Sequence, residues 1–439
     1  MSKKPLFGIV ADDLTGAMDS SGAMATHGLS AEVLPHGGDV LSQISADVIC
    51  INTQSRLLPE TQARQAVVTA TARLLLFGCD RLYKKLDSTL RGNVGVELAA
   101  MMSASGVEHA FVCPAFPEMG RTVRDGILEV DGLSLTVTRE GNDPFSGVGE
   151  ASVVRLLQMQ TEHSVGHVPI DLVDQGPNAV LAGVESLLAA GNTLFALDAV
   201  SPEHMITLAS VLRDFYPNDL VAGSAGLAST LAMATSHVQA DTVGEPLTRS
   251  AGDFLVISGS LHPASYEQLK RLSEAANVAL LPIETAAILQ NSKAGQETAA
   301  STVLEALRHF ANRKHVVLFE ESPESIQSLL DLMQDASSTF DPIQAIANFY
   351  HHVLTGLLDQ PILSGLVVIG GETAHMVTKA IGAKSIRVFG DVRSGIPVGR
   401  LKGGAADGNL LVTKAGGFGA PSALAEVIDY LEDVPQTEA

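Results

Sequence analysis

Short apolar segments, separated by longer stretches of helical periodicity, are the feature that most constrains how this chain can fold. Within these segments apolar residues run consecutively instead of alternating with polar ones, which is typical of strands buried on both faces. Parallel sheets covered by helices bury their strands in this way. The segments lie at residues 6–11, 48–51, 81–86, 110–113, 193–197 and 220–222 in the first half, and at 254–257, 278–283, 315–319, 366–369 and 386–389 in the second. We therefore predict an α/β fold.

The length of the chain and a break in its pattern predict two domains. A chain of 439 residues exceeds the usual size of a single hydrophobic core. Residues 236–252 are polar and rich in turn formers, as in a linker. We expect an N-terminal domain over residues 1–240 and a C-terminal domain over residues 250–439. Each would be a largely parallel sheet flanked by helices, with the active site in the cleft between them.

Composition and charge exclude several classes of partner. A formal net charge of −21 opposes binding to nucleic acid or to an anionic membrane, and an anionic small substrate would need a locally basic site. The three cysteines lack zinc or dithiol spacing, which predicts buried free thiols. The N-terminus does not resemble a secretory signal, and no segment reaches the roughly 20 apolar residues of a membrane span. We expect a cytoplasmic protein, and a homodimer is left open.

Two adjacent carboxylates follow the first predicted strand. Asp12 and Asp13 come directly after it, and open parallel sheets place ligands at the carboxyl ends of their strands. A carboxylate at that edge could act as a general base towards a hydroxyl group, or bind Mg²⁺. The alternative is that Asp13 caps the helix that begins near Thr15, although capping does not exclude a functional role.

A second polar segment, KKLDSTLRGN, follows the strand predicted at residues 81–86. Arginine can hold a carboxylate with two parallel hydrogen bonds, and Ser, Thr and Asn offer partners to a polyol, so a sugar acid fits this segment. The alternative is a helix N-terminus capped by Asp87 or Ser88. The candidate substrate-binding residues here are Lys85, Ser88, Arg91 and Asn93.

A third segment, PAFPEMGRT, follows the strand predicted at residues 110–113. Its two prolines stiffen the loop, and loops at the carboxyl edge of a sheet commonly carry binding residues. Arg121 could therefore add a second positive contact to the substrate carboxylate or to the transferred phosphate.

Glycine turns in the second half are candidate phosphate sites. Neither GxxxxGK[ST] nor GxGxxG occurs in the chain, so P-loop and Rossmann nucleotide sites lose their main support. Three other turns expose backbone N–H groups that favour anions; the alternative is that their glycines serve only tight turns. The candidate nucleotide-binding residues are Ser258, Gly370, Gly371, Glu372, Thr373, Lys414, Gly416 and Gly417.

From Ile9 to Gly419 the chain resembles the four-carbon acid sugar kinases. Seven segments occur in the order found in that family: ADDLTGAMD, KKLDSTLRGN, PAFPEMGRT, GSAGLA, SGS, GGETA and TKAGGFG. The resemblance implies an enzyme that uses ATP, accompanied by Mg²⁺, to phosphorylate the terminal (4-) hydroxyl group of a four-carbon sugar acid. It also implies a substrate domain followed by a nucleotide domain.

Carried over by motif, the resemblance assigns individual residues. It places nucleotide contacts on Ser258, on residues 370–373 and on Gly416, and it places the substrate at Asp12, Asp13, Asp87 and Arg91. The segment KKLDSTLRGN is more similar to D-threonate and D-erythronate kinases than to 3-oxo-tetronate kinases. Two positions depart from the family pattern: Ala415 stands where serine is usual, and Ser265 stands in a stretch where relatives often carry threonine.

These assignments lead to a mechanistic hypothesis. We expect Arg91, helped by Lys85 and Arg121, to hold the carboxylate of the acid, while Asp13 or Asp87 accepts or orients the proton of the attacking hydroxyl group. The candidate catalytic residues are therefore Asp13, Asp87 and Arg91. The alternatives are a 3-oxo-tetronate kinase and a non-catalytic regulator that binds nucleotide and sugar acid.

Overall fold

The structure of the protein is a computed structural model. It describes residues 4–37, 44–79, 81–143, 147–236, 246–320, 341–360 and 362–437. The chain divides into two compact units, Met1–Gly244 with Val388–Asp391 and Glu245–Arg387 with Val392–Ala439.

Parallel strands form the centre of the first unit. In chain order the strands are β1 (Phe7–Ala11), β2 (Ala31–Leu34), β3 (Val48–Asn52), β4 (Arg81–Lys85), β5 (Ala110–Cys113), β6 (Arg121–Arg124), β7 (Ile127–Val130), β8 (Leu133–Ser134), β9 (Val165–Val168), β10 (Leu194–Leu197) and β11 (Leu220–Gly223). Neighbouring strands run in the order β2-β3-β1-β4-β11-β5-β10-β9, and every pair is parallel. Strands β6, β7 and β8 form a separate antiparallel sheet.

Helices connect these strands, and local signals set where they begin. They are α1 (Leu14–Thr26), α2 (Glu60–Leu76), α3 (Val94–Ser105), α4 (Val153–Gln160), α5 (Ile170–Asp174), α6 (Pro177–Ala189), α7 (Pro202–Phe215) and α8 (Ala225–Ser236). Helix α7 begins after Ser201, whose side chain accepts a hydrogen bond from the backbone N–H of His204, with Pro202 in the first turn. Helix α3 ends at Gly106, which has a φ of 74°.

The second unit is also built on parallel strands. Its strands are β12 (Asp253–Ser258), β13 (Val278–Ile283), β14 (His315–Glu320), β15 (Leu363–Ile369), β17 (Ile396–Lys402) and β18 (Leu410–Lys414). Strand β16 (Ser385–Arg393) is divided, because its residues 388–391 belong to the first unit. Strands β13-β14-β12-β15-β18 are parallel neighbours in that order, and β17 pairs with β18 in the antiparallel direction. Its helices are α9 (Pro263–Leu272), α10 (Thr285–Ile288), α11 (Ser292–Ala311), α12 (Pro342–Leu358), α13 (Gly371–Ala380) and α14 (Ala423–Asp433).

The structure confirms the α/β fold, and every strand predicted from an apolar run coincides with an observed one. Three of the missed strands have sequences that break an apolar run: β2 contains Glu32, β9 contains Gly166 and His167, and β17 contains Pro397 and Gly399. Strand β18 was also missed, although residues 410–412 form a short apolar run. Burial of Glu32 at 3% exposure shows that tertiary packing outweighed local polarity in β2. A cleft that holds the active site stays a prediction.

Two further expectations concern the described residues. Cys50, Cys79 and Cys113 are buried and form no disulfide bond among the described residues, as predicted. Within the described ranges, no helix has both the length and the apolar character needed to cross a membrane. Residues 237–245 of the expected linker lie outside the described residues.

Candidate active site

Three adjacent strands of the first unit bring the predicted polar segments together. Ala11 at the end of β1 pairs with Asn52 on β3 and with Lys85 on β4. Because these strands are parallel, the segments that follow them leave the sheet at the same edge. Asp12 and Asp13 follow β1, Arg56 follows β3, and Asp87 follows β4.

Arg56 binds both aspartates of the first segment. Its Nε and Nη2 donate to the two carboxylate oxygens of Asp12 over 2.8 and 3.0 Å. Its Nη2 and Nη1 donate to the two oxygens of Asp13 over 2.8 and 3.1 Å, and Nη1 lies 3.8 Å from Asp87. Burial would raise the pKa of Asp12, but the charge of Arg56, with those of nearby lysines, holds it below the ordinary value. One guanidinium group therefore joins three aspartates.

Arg56 was not predicted from the sequence, although it follows a strand as the predicted residues do. It lies four residues beyond β3, at the same sheet edge as the selected residues. The backbone N–H groups of Ser55 and Arg56 donate to the carbonyl oxygen of Asp12 over 2.9 and 3.2 Å. Gln54 in this turn has a φ of 48°, which is uncommon for a residue other than glycine. This turn places the guanidinium over the end of β1.

Asp87 and Arg91 form a second arginine–carboxylate pair. The Nε and Nη2 of Arg91 donate to the two oxygens of Asp87, each over 2.8 Å. Asp87 also accepts from the hydroxyl group of Thr89 over 2.5 Å, and Leu90 between the pair has a φ of 58°. Burial would raise the pKa of Asp87, but Arg91 and then Arg56 hold it well below the usual range.

The capping alternatives have different outcomes in the two segments. The carboxylate of Asp13 caps α1 by accepting from the backbone N–H of Gly16 over 2.9 Å, and it binds Arg56 as well. Asp87 and Ser88 do not cap α3, because that helix begins at Val94 after Asn93. The capping alternative for this second segment was therefore wrong.

A buried network supports the turn that carries Arg56. Lys84 Nζ lies 2.9 Å from Glu97, whose other oxygen accepts from the Ser55 hydroxyl group over 2.7 Å. The amide of Asn93 donates to the carbonyl oxygens of Ser55 and Leu58 over 3.2 and 2.9 Å. These contacts show that Asn93 holds the turn in place in the free protein. Its contact with substrate stays a prediction.

Lys85 and Arg121, the two predicted helpers of Arg91, contact different groups in the structure. Lys85 Nζ donates to the carbonyl oxygen of Leu86 over 2.7 Å. Arg121 is buried, donates to the carbonyl oxygen of Met119, and has a guanidinium nitrogen 3.4 Å from Glu140. Assistance from Arg121 to Arg91 therefore stays a prediction.

The expected local excess of positive charge is absent from this cluster. The basic side chains Arg56, Lys85 and Arg91 are matched in number by three carboxylates. The arginine forks are bound by aspartates in the free protein, so an anionic substrate would have to compete for them.

Three glycine turns of the second unit also meet at one sheet edge. Ser258 at the end of β12 pairs with Ile369 at the end of β15, which pairs with Lys414 at the end of β18. The N–H of Gly259 donates to Ile369, and that of Gly370 donates to Lys414, over 3.3 and 2.9 Å. The predicted nucleotide-binding turns are thus neighbours.

The side chains in and around these turns differ in their hydrogen bonding. The Ser258 hydroxyl group is buried and has no hydrogen-bond partner within the described ranges, which leaves it able to bind a ligand. Ser265 Oγ donates to the carbonyl oxygen of Gly416 over 2.9 Å and lies 2.9 Å from Ser260 Oγ. Ser265 therefore contacts the turn that contains Ala415.

Gly370, Thr373 and the remaining predicted residues complete this edge. Gly370 has a φ of 107° and precedes α13, which starts at Gly371. Thr373 is buried next to Gly259, Glu372 is exposed, and Gly417 lies beside the ring of His262. Backbone N–H groups at the start of α13 can bind an anion.

Lys414 has a structural role in the last turn. Its buried Nζ donates to the carbonyl oxygens of Ala415, Gly416 and Phe418 over 2.8, 3.2 and 2.8 Å. Burial lowers the pKa of Lys414 to about 7. The side chain shapes the turn from within, and a direct contact with nucleotide stays a prediction.

The described residues contain no preformed cluster of metal ligands. Across the ranges described, no group of three or more His, Cys, Asp or Glu side chains could hold a metal ion. The oxygens of Asp12 and Asp13 are bound to Arg56. We therefore treat Mg²⁺ as part of the nucleotide substrate.

Comparison with known proteins decides the family. Residues 7–231 match a sugar-binding N-terminal domain, and residues 255–424 match a nucleotide-binding C-terminal domain. The D-threonate kinase of Salmonella typhimurium is 28% identical over 97% of this chain and 98% of its own length. The D-threonate kinase of Bordetella bronchiseptica is 31% identical, and the D-erythronate kinase of Heliobacterium modesticaldum 30%, each over 96% of both chains. The chain belongs to the four-carbon acid sugar kinase family.

The relatives of this kinase are named for different substrates. The 3-oxo-tetronate kinase of Pseudomonas fluorescens is 28% identical over 98% of this chain and 97% of its own. A solved structure from Salmonella typhimurium has a TM-score of 0.80 at 23% identity, covering 96% of this chain and 98% of its own, and it supports the fold alone. The chain is thus a kinase of four-carbon acid sugars, and the choice of acid needs a separate argument.

Proposed function

We propose that this kinase transfers the γ-phosphoryl group of ATP to the terminal hydroxyl group of D-threonate or D-erythronate. The observation that carries the proposal is the cluster of Asp12, Asp13, Arg56, Asp87 and Arg91 at the carboxyl edge of β1, β3 and β4. It combines two planar arginine forks with carboxylates that can accept hydrogen bonds from sugar hydroxyl groups.

Arg91 is the arginine better placed to take the substrate carboxylate. Its side chain is 28% exposed, whereas that of Arg56 is 12% exposed and binds two aspartates. An acid that takes the fork of Arg91 releases oxygens of Asp87 for hydroxyl groups of the same substrate. Arg56 then keeps Asp12 and Asp13 in place beside it.

The nucleotide is assigned to the second unit. The turns after β12, β15 and β18 offer backbone N–H groups, the Ser258 hydroxyl group and the start of α13 to a triphosphate. In this proposal residues 1–240 bind the acid, residues 250–439 bind ATP, and Mg²⁺ arrives with the nucleotide. Because phosphoryl transfer depends on positioning and charge stabilisation, these donors would align the phosphates with the hydroxyl group.

The identity of the four-carbon acid is the more specific part of the proposal. Relatives at 28–31% identity carry the names of all three acids. The segment KKLDSTLRGN favours the two hydroxy acids, and buried polar groups reject an analogue that leaves them unpaired. A ketone at C3 cannot donate a hydrogen bond to an aspartate, so we expect a 3-oxo-tetronate to be the poorer substrate.

A coupled assay for ADP release, with D-threonate, D-erythronate, their L-isomers and 3-oxo-tetronates, tests the proposal. We expect kcat/KM for one of the two D-acids to exceed that for the 3-oxo acids at least tenfold, with phosphorus NMR showing a 4-phosphate. Replacing Arg91 by Ala should raise KM for the acid at least tenfold and leave KM for ATP unchanged. Preference for a 3-oxo acid, or phosphate on another oxygen, would contradict the assignment.

A further inference from the structure

Asp19 is a buried acid beside the arginine–aspartate cluster and has no role in the proposed function. It lies on α1 and is 6% exposed. In the part of the chain that the structure describes, its Oδ1 has no hydrogen-bond partner. A buried carboxylate oxygen without a partner is destabilising, so packing alone does not explain why an acid occupies this position.

The surroundings of Asp19 place it at the proposed acid-binding site. A Cβ atom added to Gly16 would lie 3.2 Å from Lys85 Nζ, so the ammonium group lies against the first turn of α1. Residues three apart share one helix face, and Asp19 is three residues after Gly16. The electrostatic neighbours of Asp19 are Lys85, Asp13 and Asp87.

Few other charged groups face Asp19. Tyr83 on β4 also lies within its electrostatic reach and donates its hydroxyl hydrogen to Ser224. Helix α8 packs against α1 and contains no charged residue. Strands β2 and β3 also pack against α1, and the titratable residues in them are Glu32 and Cys50. Lys85 is therefore the main positive charge acting on this carboxylate.

Asp19 differs in its hydrogen bonds from the three aspartates of the cluster. Both oxygens of Asp12, of Asp13 and of Asp87 accept hydrogen bonds from arginine, whereas Oδ1 of Asp19 accepts none within the described residues. Burial, opposed by Lys85 and assisted by Asp13 and Asp87, raises the pKa of Asp19 to about 6. A carboxylate of that kind is ionised at neutral pH and still basic enough to accept a proton.

We propose that Asp19 is the general base of the reaction, an assignment that rests on the function proposed above. Its carboxylate accepts the proton of the terminal hydroxyl group while the hydroxyl oxygen forms a bond to the γ-phosphorus of ATP. The bond between the γ-phosphorus and the β,γ-bridging oxygen breaks, and ADP leaves with that electron pair. Asp19 then releases the proton to solvent.

The test compares wild type with Asp19→Asn, using the acid that wild type phosphorylates fastest. We expect kcat to fall about 100-fold or more and KM for both substrates to stay within threefold. In wild type, kcat should rise with pH through about 6, and this rise should be absent from the variant. Because asparagine removes a buried charge, the unfolding midpoint of the variant at pH 7.5 should be no lower than that of wild type.

Two further variants sharpen the comparison. Asp219→Asn removes another carboxyl group whose pKa is raised by burial, beside His109 and outside the cluster, and should leave the pH profile of kcat unchanged. Asp19→Glu retains a carboxylate and should recover at least tenfold of the activity that Asp19→Asn loses. A direct carbon NMR titration should give the Asp19 carboxyl group a pKa near 6.

The contrary outcomes distinguish a failure of the Asp19 assignment from a failure of the proposed function. Full activity in Asp19→Asn, a retained rise of kcat near pH 6, or a carboxyl pKa near 4 overturns the assignment of Asp19 and leaves the kinase reaction standing. A wild-type protein that releases no ADP with any four-carbon acid instead overturns the substrate class, and the role of Asp19 with it.

Discussion

Arg56 illustrates how one side chain can organise a site that several segments supply. A guanidinium group offers five donors in a fixed plane, and four of the contacts that Arg56 makes go to the oxygens of Asp12 and Asp13. An ammonium group is a point charge and cannot reproduce this geometry. The arrangement of the two aspartates therefore depends on an arginine at this position.

Replacing Arg56 by Lys tests that dependence. The change keeps the charge but removes the fork, so we expect kcat/KM for the acid to fall about 100-fold, equivalent to about 2.7 kcal/mol. The control is Arg64→Lys on the exposed side of α2, which should change kcat/KM less than twofold. Steady-state kinetics with saturating ATP provide the measurement. A fall of less than threefold for Arg56→Lys would show that charge alone is required.

At the scale of elements, most of the site followed from a rule about strand ends. Asp12, Asp13, Asp87 and Arg91 were selected because they follow predicted strands, and the parallel pairing of β1 and β4 places them at one edge. Arg56 obeys the same rule but was missed, because Thr53, Gln54 and Ser55 form no conspicuous motif around it. Side-chain pairings such as Asp87 with Arg91 depend on a turn with positive φ, which a pattern of residue types does not determine.

For the candidate nucleotide site too, the sequence predicted the turns but not the direction of every side chain. The glycine turns after β12 and β15 were recognised from sequence, and Gly370 and Gly416 were assigned to nucleotide. The inward direction of the Lys414 side chain was not foreseen, since a lysine beside glycines suggests a contact with phosphate. Burial at the end of β18 turns it towards the carbonyl oxygens of its own loop.

Gly370→Ala tests the turn before α13. Gly370 has a φ of 107° and a ψ of 135°, a conformation that residues other than glycine adopt at a cost of about 1–3 kcal/mol. We expect a loss of stability of that size and at least a tenfold rise in the Kd for ATP, because the backbone N–H groups would shift. Chemical denaturation and isothermal titration calorimetry measure the two effects.

Gly408→Ala is the matched control for this turn. Gly408 has a φ of 86°, and an added Cβ atom would meet no atom within 4 Å. This variant should lose a similar amount of stability and keep the Kd for ATP of wild type. Equal nucleotide affinity in both variants would remove the turn at Gly370 from the nucleotide site.

At the scale of the whole molecule, charge opposes the substrates that the site is proposed to bind. The formal net charge is −21, and both ATP and a four-carbon acid are anions. The groups around the proposed acid site do not reverse this field. Asp12, Asp13, Asp19 and Asp87 outnumber Arg56, Lys85 and Arg91 by one. Specific hydrogen bonds, rather than a basic surface, would therefore have to provide the affinity.

Ionic strength should consequently raise the efficiency of this enzyme. Repulsion between exposed charges extends about 30 Å at 0.01 M salt and about 8 Å at 0.15 M, so added salt weakens the field that the acid must cross. We expect kcat/KM for the acid to rise about two- to fivefold over that range, while kcat at saturation stays constant. Parallel series in potassium chloride and choline chloride, with saturating ATP, separate screening from specific ion effects. A decrease of kcat/KM with salt would instead mean that Arg56, Lys85 and Arg91 dominate the local potential and attract the acid from solution.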